Sequence, residues 1–396
     1  MIIREADRLN SVKEYYFSTK LKQIQKMREE GNDVLNLGIG NPDLKPSEQT
    51  IAELKNTASQ DGVHGYQSYI GIPELRQAIS DWLKNTYGLS LDPISEVLPL
   101  IGSKEGIMHI SMAFLNENDK VLVPNPGYPA YAAVAKLVNA EIITYDLQET
   151  SNWAPDLRRI ERLDVGEVKI MWLNYPNMPT GANLDPAIVK RLITLAKEKR
   201  FLIVNDNPYS MILNDHPSSL LEIEGAKEVI IELNSLSKSH NMAGWRLGWV
   251  AGNKDYLQSI LKVKSNVDSG MFLPIQKAAV KALSSGKEWF DSVNNIYRKR
   301  RGYVWKIMDE LGCSYNKQQT GMFIWAKIPE QYDRVDTLTD ELLEKSHVFI
   351  TPGLIFGSGG DRYVRISLCN TEKTLNEALT RVRAFVNSKK LISQQN

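Results

Sequence analysis

The chain has 396 residues, 42% of them hydrophobic and 24% charged, the balance of an ordinary folded protein with room for a large domain and an appended lobe. Its 48 Lys and Arg against 47 Asp and Glu leave a formal charge of +1, so no global field draws it to nucleic acid or to an anionic membrane surface. Two cysteines, Cys313 and Cys369, make neither a disulfide framework nor a zinc spacing and read as buried thiols.

The N-terminal stretch MIIREADRLNSVKEYYF is charged throughout and lacks the apolar centre of a signal peptide. No run of eighteen apolar residues follows anywhere in the chain. The expected setting is a reducing, aqueous compartment, the cytoplasm. In chain order, the runs VLVP (121–124), EIITY (141–145), VKIMWLN (168–174), FLIVND (201–206), VIIELN (229–234) and LGWVAG (247–252) are short and almost continuously apolar, as strands covered on both faces are. Between the third and fourth lies DPAIVKRLITLAKEKR, in which Ile188, Leu192 and Leu195 repeat at helical spacing with basic residues opposite. The alternation predicts an α/β fold with a mainly parallel central sheet covered by helices. Near residue 285 the texture changes. A long basic helical segment, WFDSVNNIYRKRRGYVWKIMDEL, precedes two strands, GMFIWAKI and RYVRISL, with the helical TLTDELLEKS between them. This predicts a smaller α/β domain. The run YRKRR reads as a solvated helix face, because the chain as a whole is neutral.

In open α/β sheets ligands bind beyond the carboxyl ends of the strands. There the sequence places NYPNMPTG (174–181), NDNPYS (205–210) and SLSKS (235–239), with LIGSKEG ahead of a helix beginning near Glu105. One rim then gathers Asp206, Tyr209, Ser235, Ser237, Lys238 and the turn Gly102–Ser103–Lys104. The start of a helix is an anion site through its free N–H groups and dipole, and Arg246 adds a planar charged fork suited to phosphate. A carboxylate at a strand end, Asp206, calls for a cationic or N–H partner. A lysine in an apolar setting near other cations has a depressed pKa and is a nucleophilic amine suited to a Schiff base. An imine-forming lysine, an anion cradle and an aspartate seeking a cation together describe a pyridoxal 5'-phosphate site.

At these residues the chain resembles the class I and II aminotransferases of fold type I, close to aspartate and LL-diaminopimelate aminotransferases. The resemblance runs from NLGIGNPD (36–43) through YQSYIGIPELRQAI (66–79), IGSKEG, PNPGYPAY (124–131), NYPNMPTG, NDNPY and SLSKSHNMAGWRLGW to RYVRISL (362–368). It implies residues 1–40 as an N-terminal arm joined to the small domain, 41–284 as the large cofactor-binding domain and 285–396 as the C-terminal small domain. It implies Lys238 as the Schiff-base lysine and proton carrier, Asp206 as partner of the pyridine nitrogen and Tyr209 as donor to the ring's phenolic oxygen. Tyr128 would stack on the ring, and Ser103, Lys104, Ser235, Ser237 and Arg246 would line the phosphate region. Arg365 would clamp the substrate α-carboxylate. Gly38 and Gly40 would let backbone approach the substrate. Tyr66 would reach the phosphate held by a second copy of the chain, which implies a homodimer with shared sites.

One position departs from the family. Met178 stands where asparagine directly precedes Pro-Thr-Gly, and a shift of the loop would bring Asn177 to the phenolic oxygen instead. His240 is expected to pack rather than to act as a base. The implied activity is transfer of an amino group between an L-amino acid and a 2-oxo acid by ping-pong chemistry. Lys104 favours acidic or diaminopimelate-like substrates. A carbon–sulfur β-lyase is the alternative on the same fold. A non-catalytic sensor module is disfavoured, because about 35 residues before the first motif are too few for a DNA-binding region.

Overall fold

A computed structural model describes residues 3–12, 16–164 and 166–395 of the chain. Twelve strands occur among these residues: β1 Leu35–Asn36, β2 Val97–Leu100, β3 Lys120–Asn125, β4 Glu141–Asp146, β5 Val168–Leu173, β6 Leu202–Asp206, β7 Ile230–Ser235, β8 Gly248–Gly252, β9 Phe323–Lys327, β10 Val348–Phe349, β11 Thr351–Pro352 and β12 Tyr363–Ser367. Seven form one sheet in the order β2-β8-β7-β6-β5-β3-β4. All pairings in it are parallel except those of β8, which runs against β7 and β2.

Successive residues of the central strands enter different cores, as the two-residue period of a strand requires. Ile203 packs into one and Leu202 with Val204 into the other; Met171 and Leu173 oppose Ile170 and Trp172 in the same way. This is why these strands read as unbroken apolar runs. The expected strands all form. The edge strand β2 (VLPL) was not expected from the sequence, and Pro99 within it explains why, since proline is tolerated only where a ladder hydrogen bond is dispensable.

The helix Pro186–Lys199 starts on Asp185, whose side chain accepts the Ala187 N–H, with Pro186 in its first turn. It buries Val189, Leu192, Ile193, Leu195 and Ala196. Leu192 and Leu195 keep their expected places, while Ile188 stays partly exposed at the border of the face. Leu192 is fully buried, so its truncation to alanine costs about 2–5 kcal/mol.

A second sheet, β11-β12-β9, is antiparallel, and β1 pairs in parallel with β10. The loop after β1, residues 36–43, is therefore fastened to the C-terminal third of the chain. The Arg300 guanidinium grips the Asp43 carboxylate with two contacts of 2.7 Å. Thr351 Oγ1 donates to the Gly38 carbonyl at 3.0 Å.

The strand order places the site. The chain steps outward from β3 to β4, returns to the other side of β3 as β5, and continues away through β6 and β7. Between β3 and β5 the direction of winding reverses, and that is where a cleft opens beyond the strand ends.

Candidate active site

A cavity of about 520 Å³ occupies that position, and the carboxyl ends of β5, β6 and β7 feed side chains into it. Asn174 comes from β5, Asp206 and Tyr209 from β6, and Ser235, Ser237 and Lys238 from β7. Ser103 and Lys104 enter from the first turn of the helix Ser103–Phe114, and Tyr128 from the start of the helix Pro129–Leu137. Arg246, Arg365 and Gly40 line the cavity as well.

Asp206 is buried at 5% exposure. The Tyr131 hydroxyl donates to its Oδ2 at 3.0 Å, while Oδ1 is buried with no hydrogen-bond partner among the described residues. Burial pushes its pKa up to about 7, the Tyr131 hydrogen bond opposes the rise, and the charge of Glu232 adds to it. An orphaned, buried carboxylate oxygen facing a cavity is a receptor for a cationic N–H.

Lys238 Nζ donates to the Gly40 carbonyl at 2.7 Å. Burial lowers its pKa most; Cys369 acts to raise it, and the charges of Arg365 and then Arg246 lower it. A share of neutral, nucleophilic amine follows. Arg365 is buried between aromatic faces, its guanidinium carbon 3.9 Å from the Phe323 ring centre and 4.7 Å from that of Phe356. It donates to the Gly38 carbonyl at 2.8 Å and lies 3.1 Å from the Met178 sulfur. Its planar fork lines the cavity and has the shape to hold a carboxylate by two parallel contacts.

The anion end is built from close backbone approaches. Gly102 precedes the helix Ser103–Phe114 with φ +86°, and a Cβ there would meet the Arg246 guanidinium. A Cβ on Gly248 would lie 2.9 Å from the Ser103 nitrogen and 2.6 Å from the Asn234 carbonyl, so β8 and the helix start can meet only across a glycine. Arg246 itself is held with φ +55° by donating to the Ala243 carbonyl at 2.8 Å. The Ser235 hydroxyl caps the turn Leu236–Ser239 by accepting the Ser237 N–H at 3.0 Å.

One expected position differs. Asn177 does not line the cavity. Its Oδ1 is engaged by the Thr180 hydroxyl at 2.7 Å and the Thr180 N–H at 3.3 Å, and Met178 takes the cavity wall. The expected loop shift is thus absent, because the turn closes on Thr180. The amide that does line the cavity is Asn174, which donates to the Asp206 carbonyl at 2.5 Å and accepts the Met178 N–H at 3.0 Å. Tyr66 lies outside the cavity, 93% exposed, beside the stacked pair His64–Phe272.

The structure adds Tyr131, whose ring stacks on Trp172 at 4.9 Å while its hydroxyl serves Asp206. Its signal was present in PNPGYPAY, three residues after Tyr128. Phe323 and Phe356 gave no local signal. His240 packs edge-on against Phe290 with Nδ1 2.8 Å from Ser239 Oγ, and burial pulls its pKa down to about 3. Both cysteines are buried and free.

The model of the family "Aminotransferase class I and II" matches residues 32–382. The chain belongs to the class I and II aminotransferases. It is 39% identical over 383 residues to the LL-diaminopimelate aminotransferase of Halothermothrix orenii, covering 96% of this chain and 98% of the relative. It is 38% identical over 380 residues to that of Aquifex aeolicus, with the same coverage. Among solved structures, substrate-bound BacF from Bacillus subtilis superposes with a TM-score of 0.92 at 35% identity, covering 97% of this chain and 98% of that one. An aspartate aminotransferase from Thermotoga maritima gives 0.88 at 26% identity, covering 97% and 100%. The fold type I architecture and the transaminase class expected from the motifs are both borne out.

The cofactor of this aminotransferase class is pyridoxal phosphate. The cavity's residues fit it: a carboxylate oxygen buried without a donor among the described residues, a buried lysine within reach of the same space, and a helix start beside an arginine.

Proposed function

We propose that this aminotransferase acts on acidic or diaminopimelate-like L-amino acids with a 2-oxo acid as acceptor, and that Lys238, Asp206 and Tyr209 carry the chemistry. The observation that carries this reading is the convergence of Lys238, the half-satisfied Asp206 and Arg365 in one cavity. Bound cofactor supplies an electron sink for charge developing at the substrate α-carbon. Asp206, with Oδ1 unpartnered among the described residues, would hold a protonated ring nitrogen. Lys238 carries a proton to and from the substrate α-carbon after leaving the Gly40 carbonyl. Arg365 orients the α-carboxylate, and Tyr128, Ser103, Ser235, Ser237 and Arg246 fix the ring and its phosphate.

Relatives at 37–39% identity are named LL-diaminopimelate aminotransferases, and Lys104 offers a cation at the cavity wall for a distal charged group. The exposed Tyr66 and Phe272 support a homodimer in which each copy completes the other's site. Residues 41–284 are read as the large domain, with 1–40 and 285–396 forming the smaller one. A cytoplasmic enzyme fits the absence, among the described residues, of any helix long and apolar enough to cross a membrane.

The test is absorption spectroscopy of the loaded protein with single amino acids. Glutamate or LL-diaminopimelate should bleach the visible band, and a 2-oxo acid should restore it. Pyruvate release from a sulfur amino acid, with the band unchanged by either, would replace the reading by a lyase. A Lys104→Ala variant should lose its preference for acidic over aromatic substrates by about tenfold, one charge-assisted contact's worth. An unchanged preference removes Lys104 from substrate recognition.

A further inference from the structure

Glu232 lies in the middle of β7, 1% exposed, and does not line the cavity. A carboxylate so deep in a sheet calls for an explanation. Its surroundings are all donors. Asn205 Nδ2 donates to Oε2 at 2.9 Å, the Leu220 N–H to Oε2 at 3.1 Å, and Asn207 and Asn234 Nδ2 to Oε1 at 3.2 Å each. The Asn205 amide cannot be turned around, because its Oδ1 accepts the Tyr175 N–H at 3.0 Å. The Ser219 hydroxyl accepts the Leu221 N–H and so also turns its proton toward Glu232. Of these contacts only the Ser219 hydroxyl could also accept from a protonated Glu232, whereas a carboxylate is satisfied by all of them.

The network reaches every strand end that feeds the cavity. Asn205 pairs in register with Glu232 and precedes Asp206. On the reverse face it holds the backbone of Tyr175, one residue past Asn174. Asn207 follows Asp206 and also donates to the Ser218 carbonyl at 3.0 Å. Asn234 precedes Ser235. Because side chains alternate along a strand, Asn205 and Asn207 turn away from the cavity while Asp206, between them, turns toward it.

We propose that Glu232 is a positioning residue of this active site: as a buried carboxylate it locks the ends of β5, β6 and β7 from behind the sheet and places a fixed negative charge behind Asp206, so that Asp206 receives a cationic ring nitrogen. This rests on the functional reading above. Burial raises the pKa of Glu232 on balance, and the donors from Asn205, Asn207, Leu220 and Ser219 act against that rise; the proposal stands on the four donors that converge on its two oxygens. Its charge acts on Asp206 in the direction that favours a proton shared between Asp206 and the ring.

The experiment is a double-mutant cycle on the full chain, with pyridoxal phosphate affinity as the readout. Glu232→Gln keeps the shape and removes the charge; it should weaken cofactor binding by about tenfold, the equivalent of one pKa unit. In an Asp206→Asn background the same change should have little further effect, because the group through which Glu232 acts is gone. Equal losses in both backgrounds would make Glu232 merely structural and overturn the proposal. Should Glu232→Gln fail to fold, carboxyl carbon NMR of the unsubstituted, cofactor-free protein decides. Glu232 should be ionised at pH 7, and a protonated Glu232 overturns the proposal. A parent protein that binds no cofactor would overturn the functional reading instead, and the NMR result would still judge Glu232.

Discussion

Asp206 shows how one residue couples fold and cofactor. Its carboxyl has a folded-state pKa near 7 against an ordinary value of 3.8, raised mainly by burial. In the cofactor-free protein the folded state therefore holds a proton that the unfolded chain has released, and stability is lost as pH rises from about 4 to about 7. An Asp206→Asn variant lacks this loss. Without cofactor it should melt at the parent's temperature near pH 4 and several degrees above it at pH 8, a difference readable by calorimetry across pH. The opposing effect of His240, buried neutral with a pKa near 3, is common to both proteins and cancels in the comparison. With cofactor loaded the order at pH 8 should invert, because the carboxylate then has its cation. Met178 is the other informative residue. It presents a thioether to Arg365 in a cavity where an amide was expected. Met178→Asn should lower the pH at which the visible band of the loaded protein changes form, by up to about one unit, if the new N–H favours the deprotonated form of the ring's phenolic oxygen. A pH titration of the band checks this. At this scale the sequence was legible for the charged residues and misleading for Asn177. Charge types announce their need for partners, whereas the rotation of one loop amide depends on whether Thr180 closes the turn.

Among the elements, the turn into the helix Ser103–Phe114 has little freedom. Gly102 holds φ +86°, with the Arg246 guanidinium where a Cβ would stand. Gly102→Ala should leave the core intact, cost about 1 kcal/mol or more in backbone strain, and weaken phosphate binding by displacing Arg246. Cofactor affinity should then fall further than melting temperature does; a loss confined to stability would exclude the phosphate role. The strands were readable because apolar runs of their length suit only buried sheet positions. Strand β2 was not, since Pro99 masks it. Strands β9 and β12 of the small sheet were visible as apolar runs and the two-residue β11 was not; the antiparallel pairing, β12 directly beside β9 with β11 at the edge, depends on how the intervening helix Val335–Ser346 returns the chain.

For the whole molecule the decisive surface is that around Tyr66. It is 93% exposed, next to the His64–Phe272 stack, with Phe272 itself 40% exposed, and outside its own chain's cavity; in the proposed homodimer it would reach the neighbour's. Two damaged chains, one Tyr66→Ala and one Lys238→Ala, should together regain activity above the sum of the parts when dissociated and reassembled. A mixed dimer then holds one site with both residues intact. A monomer by sedimentation, or mixing without gain, would remove Tyr66 from the site.

The amino-acid sequence alone determined the strand series, the cofactor class and the roster of charged side chains, because strand burial and the partnering of charges are local demands that leave their mark on neighbouring residues. Packing decided which face each of those side chains would take: that Asn174 and not Asn177 reaches the cavity, that Phe323 and Phe356 sandwich Arg365, and that Glu232 stands behind the strand ends. Those outcomes depend on residues far apart in the chain meeting across β5, β6 and β7 and the small sheet, and no spacing along the chain records such a meeting.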